Sequence, residues 1–331
     1  MRYLPELDTL MREIVDSVTL SPDFGVMLRY PLGWVNADGT PYSQPTGKRI
    51  RPILLLLSAE AGGGQWRNAL PAAAAVEFLH NFSLVHDDIQ DASPTRHNRA
   101  TVWQVWRIAN AINIGDALFT LAYTALEKLS STGLPPDILL GVWRVFNQTN
   151  LELTRGQHLD MRFENQPSVS VDEYLSMLRG KTAALTAACA QIGALIGACD
   201  EQIAAHFATF GINLGIAFQI RDDILGIWGD PETTGKSAAT DILARKKSLP
   251  ILYGLAKSKA LVRLYARKQF GEAQVNDAVA VLDKLDARAY AEQLEAEYYQ
   301  AALSALKETN LHNAAMEGLY RLTAGLFGRT F

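Results

Sequence analysis

Apolar residues recur at helical spacing along almost the whole chain. Leu118, Leu121, Ala122, Ala125 and Leu129 share one helical face, as do Phe207, Phe210, Leu214, Ala217 and Phe218, while alternating strand patterns are hard to find. Breaks fall where helix-stop rules expect them, at Ala61-Gly62-Gly63-Gly64, Thr132-Gly133-Leu134-Pro135-Pro136, Asn165-Gln166-Pro167-Ser168 and Gly229-Asp230-Pro231. About a dozen helices result, several longer than the ~11-residue mean. The opening stretch to Val18 mixes Glu6, Asp8, Glu13 and Asp16 among apolar positions, so it reads as an amphipathic helix and not a signal peptide. Thr182 to Cys199 carries no charge, yet its Ala, Gly and Thr content is too weakly hydrophobic for lipid, which predicts a buried central helix and no membrane span. No repeat or linker divides the chain. The pattern predicts one all-α domain over residues 1–331, with peripheral amphipathic helices from about Ala256 onward.

Composition adds exclusions. With 48% hydrophobic and 20% charged residues among 331, a large core can form and disorder is ruled out. Thirty-one basic against 35 acidic side chains give a net charge of -4, the wrong sign for general nucleic-acid binding. Cys189 and Cys199 lie in the uncharged stretch and argue against a disulfide framework or a thiolate metal site, so a reducing cytoplasmic location is expected. Gly180-Lys181-Thr182 and Gly235-Lys236-Ser237 imitate the tail of a phosphate-binding loop, but Leu175 and Asp230 stand where the upstream glycine is needed.

The chemistry sits in two acidic segments. His86-Asp87-Asp88-Ile89-Gln90-Asp91 closes an apolar helix that begins near Ala72, and one helical turn places Asp87 and Asp91 on the same face. Like charges at the negative end of a helix dipole repel, so a cation is expected there. Gln219-Ile220-Arg221-Asp222-Asp223 repeats the arrangement at the end of a second apolar helix. Oxygen-only ligands at this spacing suit Mg²⁺, which keeps waters and completes its sphere with phosphate oxygens. Basic residues accompany both segments: Lys48, Arg49 and Arg51 at a helix start, Arg96, His97 and Arg99 after the first, and Lys236, Arg245, Lys246 and Lys247 after the second, with Lys181 opening the uncharged helix. Together they describe a site for polyanions bridged by metal.

In order, the segments GKRIRP at 47–52, HDDIQD at 86–91 with RHNRATVW at 96–103, GQHLD at 156–160, GKT at 180–182 and FQIRDDILGIWGDPETTGKSAATDILARKKSLP at 218–250 resemble the trans-isoprenyl diphosphate synthases, or polyprenyl synthetases. The resemblance implies a single bundle of long helices around a central cavity, a homodimer, and two Asp-rich helix ends facing each other. It implies an enzyme that condenses isopentenyl diphosphate with allylic diphosphates. Asp87, Asp91 and Asp222 resemble the Mg²⁺ ligands, with Asp88 and Asp223 as supporting carboxylates and Lys181 in the catalytic set. Arg96, Lys181, Thr182, Gln219, Lys236 and Lys246 resemble the allylic diphosphate partners. Lys48, Arg51 and His80, with His97, resemble the isopentenyl diphosphate pocket.

Two departures stand out. His97 replaces the second of two arginines frequent in the family, in a loop where Asn98 and Ala100 replace Gly and Pro. Gly226 stands where many members carry a third Asp. Product length is expected to follow side chains below Asp87, with Ser83 one turn down at ~6 Å and Leu79 two turns down at ~12 Å. Phe82 is offset around the helix. One aromatic at the fifth position before the motif resembles producers of geranylgeranyl diphosphate, with farnesyl diphosphate as the alternative. A terpene cyclase would have no need of Lys48, Arg51 and His80, and a non-catalytic subunit would lose an acidic motif.

Overall fold

The computed structural model describes residues 2–18, 21–42, 47–166, 168–229, 240–243, 245–267 and 270–327. The described residues are all-α apart from one small hairpin and an isolated β-bridge between Val35 and Pro41. The helices are α1 (Leu4–Val18), α2 (Pro22–Arg29), α3 (Ile50–Ala61), α4 (Leu70–Gln90), α5 (Val102–Glu127), α6 (Pro136–Asn165), α7 (Val171–Leu178), α8 (Ala184–Ala198) and α9 (Glu201–Trp228). They continue with α10 (Thr240–Leu243), α11 (Leu249–Lys257), α12 (Lys259–Tyr265), α13 (Glu272–Lys284), α14 (Ala287–Glu308) and α15 (Ala314–Phe327). Two compact units are formed, one of Met1–Arg144 with Ile192–Ala204, the other of Val145–Gln191 with Ala205–Phe331.

In the first unit α4 is the central helix. Ala72 to Val76, Phe78 and Leu79 are all buried, so residues 72–76 are apolar around the whole circumference, and Glu77, His80 and Asn81 interrupt that surface before the acidic end. Gly193 and Gly197, one turn apart on the unit's share of α8, lie against α3, where a Cβ at Gly193 would stand 2.2 Å from the Leu55 carbonyl oxygen and one at Gly197 2.0 Å from that of Ala59. Backbone-to-backbone contact of this kind is what weakly hydrophobic Gly/Ala helices permit. The stretches Val171–Ala198 and Glu201–Trp228 are long and apolar enough to cross a membrane, and 67% and 50% of their apolar windows are buried inside the protein.

In the second unit Phe163, Tyr174, Met177, Ile216, Ile220, Ile224, Leu249 and Leu252 form one buried cluster. Ile227, Ile242, Ile251, Leu261, Val275 and Leu282 form another. Helix α7 opens with a capping box, in which the Glu173 N–H donates to Ser170 Oγ at 3.2 Å and the Ser170 N–H donates back to Glu173 Oε2 at 2.8 Å. That fixed start turns Tyr174 inward.

The hairpin pairs Thr95–Arg96 with Arg99–Ala100, and the turn residues His97 and Asn98 both have positive φ, 49° and 59°. This is a type I′ geometry, created by turn chemistry and not by strand alternation, which is why the hydrophobic pattern does not announce it. The helix carrying Asp222 and Asp223 ends at Trp228, just before Gly229, where the sequence places its break. It continues past the pair because Ile224 and Ile227 are buried, so the pair lies within its last two turns.

Candidate active site

The first unit holds a cavity of about 240 Å³, whose wall includes Lys48, Arg51, His80, Asp88, Arg96 and His97. Arg51 comes from the first turn of α3, His80 and Asp88 from α4, and Arg96 and His97 from the hairpin. Asp88 is buried and accepts from Arg96 Nε at 2.9 Å. Burial raises its pKa, against the pull of Arg96. His80 is driven well below its usual pKa by burial and by the neighbouring Arg51, Arg96 and His97. The neutral imidazole therefore accepts from Arg51 Nη1 at 3.2 Å through Nε2, orienting a guanidinium without adding charge.

Arg49 has a different task. It donates from Nη1 to Asp8 Oδ1 at 2.7 Å and lies 3.4 Å from Glu77, a buried carboxylate whose pKa burial raises despite Arg49 and Arg51. Of the three cations at 48–51, Arg49 thus ties the start of α3 to α1 and α4. Arg99 likewise donates to the Tyr30 and Val35 carbonyl oxygens and stacks 4.1 Å over the Tyr30 and Tyr42 rings. Asp87 and Asp91 occupy the last turn of α4 and its cap, the Asp91 N–H donating to the Asp87 carbonyl oxygen at 2.8 Å. The cavity joins Arg96 to Lys48, Arg51, His80 and His97, residues that the resemblance divides between two diphosphates.

In the second unit Asp223 is fully buried and receives hydrogen bonds from Tyr174 Oη, from the Leu249 N–H at 3.0 Å and from Gln219 Nε2 at 3.3 Å. Its pKa is raised by burial, which Lys246, the Leu249 N–H and Tyr174 oppose, and the Tyr174 hydroxyl is held well above its usual pKa by burial and by Asp223. Thr182 Oγ1 donates to Gln219 Oε1 at 3.3 Å, so Thr182, Gln219, Asp223 and Tyr174 form one chain. Lys246 Nζ lies 3.8 Å from Asp223 and 3.5 Å from Asp241. Burial lowers its pKa, but Asp223, Asp241 and Asp160 outweigh that and raise it. Its sequence neighbours are used elsewhere: Lys247 donates to the carbonyl oxygens of Phe163 and Gln166 at the end of α6, and Arg245 stacks 4.9 Å from the Phe270 ring.

Lys181 lies in a π-helical turn, Arg179–Ala183, and pairs with Asp160 of α6. The glycines of the GQHLD and GKT segments explain that pairing. A Cβ at Gly156 would stand 2.1 Å from the Lys181 nitrogen, and one at Gly180 would stand 2.6 Å from the Glu152 carbonyl oxygen, so α6 and the π turn touch through bare backbone. Asp160 follows Gly156 by one helical turn and so meets Lys181. Lys236 lies outside the described residues. Asp160 and Asp241 lie inside the quoted segments but carry no role in the sequence reading, and Tyr174 lies outside every segment; its one local signal is the spacing of Ser170 and Glu173, a capping-box pattern at the start of its helix.

Below Asp87, Ser83 is buried with Oγ donating to the His80 carbonyl oxygen at 2.8 Å, and Leu79 is fully buried. Phe82 packs on His86 at 4.8 Å and on Phe119 at 5.0 Å. The two acidic segments offer carboxylate oxygens alone, with Arg96 paired to Asp88 in one unit and Lys246 close to Asp223 in the other. That chemistry fits a hard divalent ion carrying a polyphosphate. Among the described residues no three His, Cys, Asp or Glu groups form a ready-made metal cage.

The polyprenyl synthetase family model matches residues 34–282. The chain is 41% identical over 288 residues to the geranylgeranyl diphosphate synthase of Mycobacterium tuberculosis, covering 85% of this chain and 81% of the relative. It is also 41% identical over 246 residues to the (2E,6E)-farnesyl diphosphate synthase of Mycobacterium bovis, covering 74% of this chain and 67% of that one. The crystal structure of a polyprenyl synthetase from Streptomyces coelicolor A3(2) superimposes with a TM-score of 0.88 at 34% identity, covering 97% of this chain and 98% of the other.

Proposed function

Since the chain belongs to the polyprenyl synthetase family and is a trans-prenyltransferase, we propose that it extends allylic diphosphates with isopentenyl diphosphate to geranylgeranyl diphosphate. Asp87, Asp91 and Asp222 would hold Mg²⁺. When bound, the metal neutralises charge that the diphosphate gains as the allylic C–O bond ionises. Arg96, Lys181 and Lys246, with Thr182, Gln219 and Lys236, grip the allylic diphosphate, and Asp88 and Asp223 support from behind by fixing Arg96, Lys246 and Gln219. Lys48, Arg51, His80 and His97 hold isopentenyl diphosphate, with neutral His80 aiming Arg51. Fixed cations around a leaving diphosphate act where charge develops, which is the largest kind of catalytic contribution. We assign the enzyme to the cytoplasm, as one domain that pairs into a homodimer.

The observation that carries the C20 product is Ser83. Its hydroxyl turns back onto its own helix, so the first turn below Asp87 adds no bulk, while Phe82 leans aside onto His86 and Phe119. The 41% identity to a farnesyl diphosphate synthase favours C15 as the second reading. Purified enzyme with Mg²⁺, isopentenyl diphosphate and geranyl diphosphate should yield C20. Ser83→Phe should shorten the product to C15 and Phe82→Ala should lengthen it. A wild-type product that stops at C15 selects the second reading.

A further inference from the structure

Gly226 follows Asp222 by one turn on α9, so a side chain there would share the face of Asp222. The space is taken. A Cβ at Gly226 would stand 2.5 Å from Asp241 Oδ2 and 2.7 Å from its Cγ, so the carboxylate of Asp241 fills the volume that any larger residue 226 would enter. Asp241 is anchored by its neighbour Ile242, which is fully buried in one cluster with Ile227 of α9. Its side chain is 16% exposed, against 50% for Lys246.

Asp241 also grips Lys246 twice. The Lys246 N–H donates to the Asp241 carbonyl oxygen at 2.8 Å, and Nζ lies 3.5 Å from Oδ2. The other carboxylate within 4 Å of Nζ, Asp223, is already bound to Tyr174, Gln219 and the Leu249 N–H and cannot shift without breaking them. We propose that Asp241 is the positioning residue for Lys246, standing in the space left by the missing side chain of Gly226 and holding the ammonium ready for the allylic diphosphate. A lysine stem is flexible, and an ammonium already placed loses less freedom when its anion arrives. The glycine is therefore no simple loss from the acidic segment: it admits a carboxylate supplied from the chain after the helix.

The proposal rests on the reading of Lys246 as an allylic diphosphate partner, and the test separates the two. The probe is geranyl thiolodiphosphate, which binds with Mg²⁺ without ionising, measured by titration calorimetry beside the KM for isopentenyl diphosphate. Asp241→Ala should weaken probe binding about tenfold and leave the isopentenyl KM within twofold. Asp241→Asn, which keeps the size and loses the charge, should weaken it in the same direction, as should Gly226→Ala by pushing the carboxylate aside. In a Lys246→Ala background, Asp241→Ala should add less than twofold, because nothing remains to position. Weakened binding in Lys246→Ala with normal binding in Asp241→Ala overturns the proposal alone, as do fully additive effects. Normal binding in Lys246→Ala overturns the reading of Lys246, and the proposal with it.

Discussion

Asp88 and Asp223 each follow the leading Asp of an acidic segment, yet they are held by different means. Asp88 faces a guanidinium carried on two-residue strands, whereas Asp223 is sealed among Tyr174, Gln219 and a backbone N–H inside a packed core. A carboxylate paired to a hairpin can be retuned by changing the turn. One enclosed by core packing cannot, because any change also disturbs what surrounds it. The leading carboxylates Asp87 and Asp222 are only half-buried in both units, so their loss should reach function before stability.

That similarity sets the largest expected effect. Asp87→Ala and Asp222→Ala should each lower turnover by about 10³-fold or more, since on the proposed function each would remove a metal ligand and with it several kcal/mol of stabilisation of developing charge. Thermal midpoints should stay close to wild type. Steady-state rates measured beside melting curves check both statements, and a turnover near wild type in either variant breaks the equivalence of the two segments.

The contrast itself is sharpened by Tyr174→Phe. The substitution keeps the ring in its cluster and removes one donor from a buried carboxylate, which should cost roughly 1–3 kcal/mol of stability. Urea unfolding reads it directly. A change under ~0.5 kcal/mol, within the range of ordinary surface substitutions, would mean that Asp223 does not depend on its enclosure.

His80 and Asp223 should also respond to pH with opposite sign. His80 has its folded pKa below the unfolded value of 6.5, so its contribution to stability is complete above that value and is lost as pH falls toward the folded pKa. Asp223 has its folded pKa raised, so its contribution declines as pH rises from the unfolded 3.8 through the folded pKa. Below pH 6.5 wild type should therefore lose up to about 1.4 kcal/mol per pH unit relative to His80→Gln. Unfolding midpoints of the two proteins between pH 7 and 5 check it, and parallel curves would remove His80 from the neutral, buried role.

Much of this was legible in the sequence, because helical periodicity and Gly/Pro punctuation report local physics. The acidic helix ends were visible as polar residues interrupting apolar faces. What stayed hidden depends on neighbours far along the chain. Arg49 resembles its companions Lys48 and Arg51 in every local respect, and only Asp8 and Glu77 show that it ties helices together. Gly156 and Gly180 look like motif letters until the contact between α6 and the π turn makes them necessary. Gly226 reads as a missing charge until Asp241 is seen filling its place.

The smallest expected effect probes the hairpin that makes Asp88 adjustable. His97 and Asn98 both sit at positive φ, where L side chains other than Asn and Asp are strained, and a type I′ turn favours glycine at its second central position. Asn98→Gly relieves what strain Asn98 carries but also frees the unfolded chain, and the two terms oppose. The first should win narrowly, for a gain of about 0.5 kcal/mol. Thr95→Gly is the control, because Thr95 lies in the extended strand with no positive φ, so glycine there gives only the loss. Urea midpoints should thus move in opposite directions for the two variants. If both are destabilised alike, the turn stores no strain at Asn98, and the link between loop chemistry and the placing of Arg96 over Asp88 would have to come from the flanking strands.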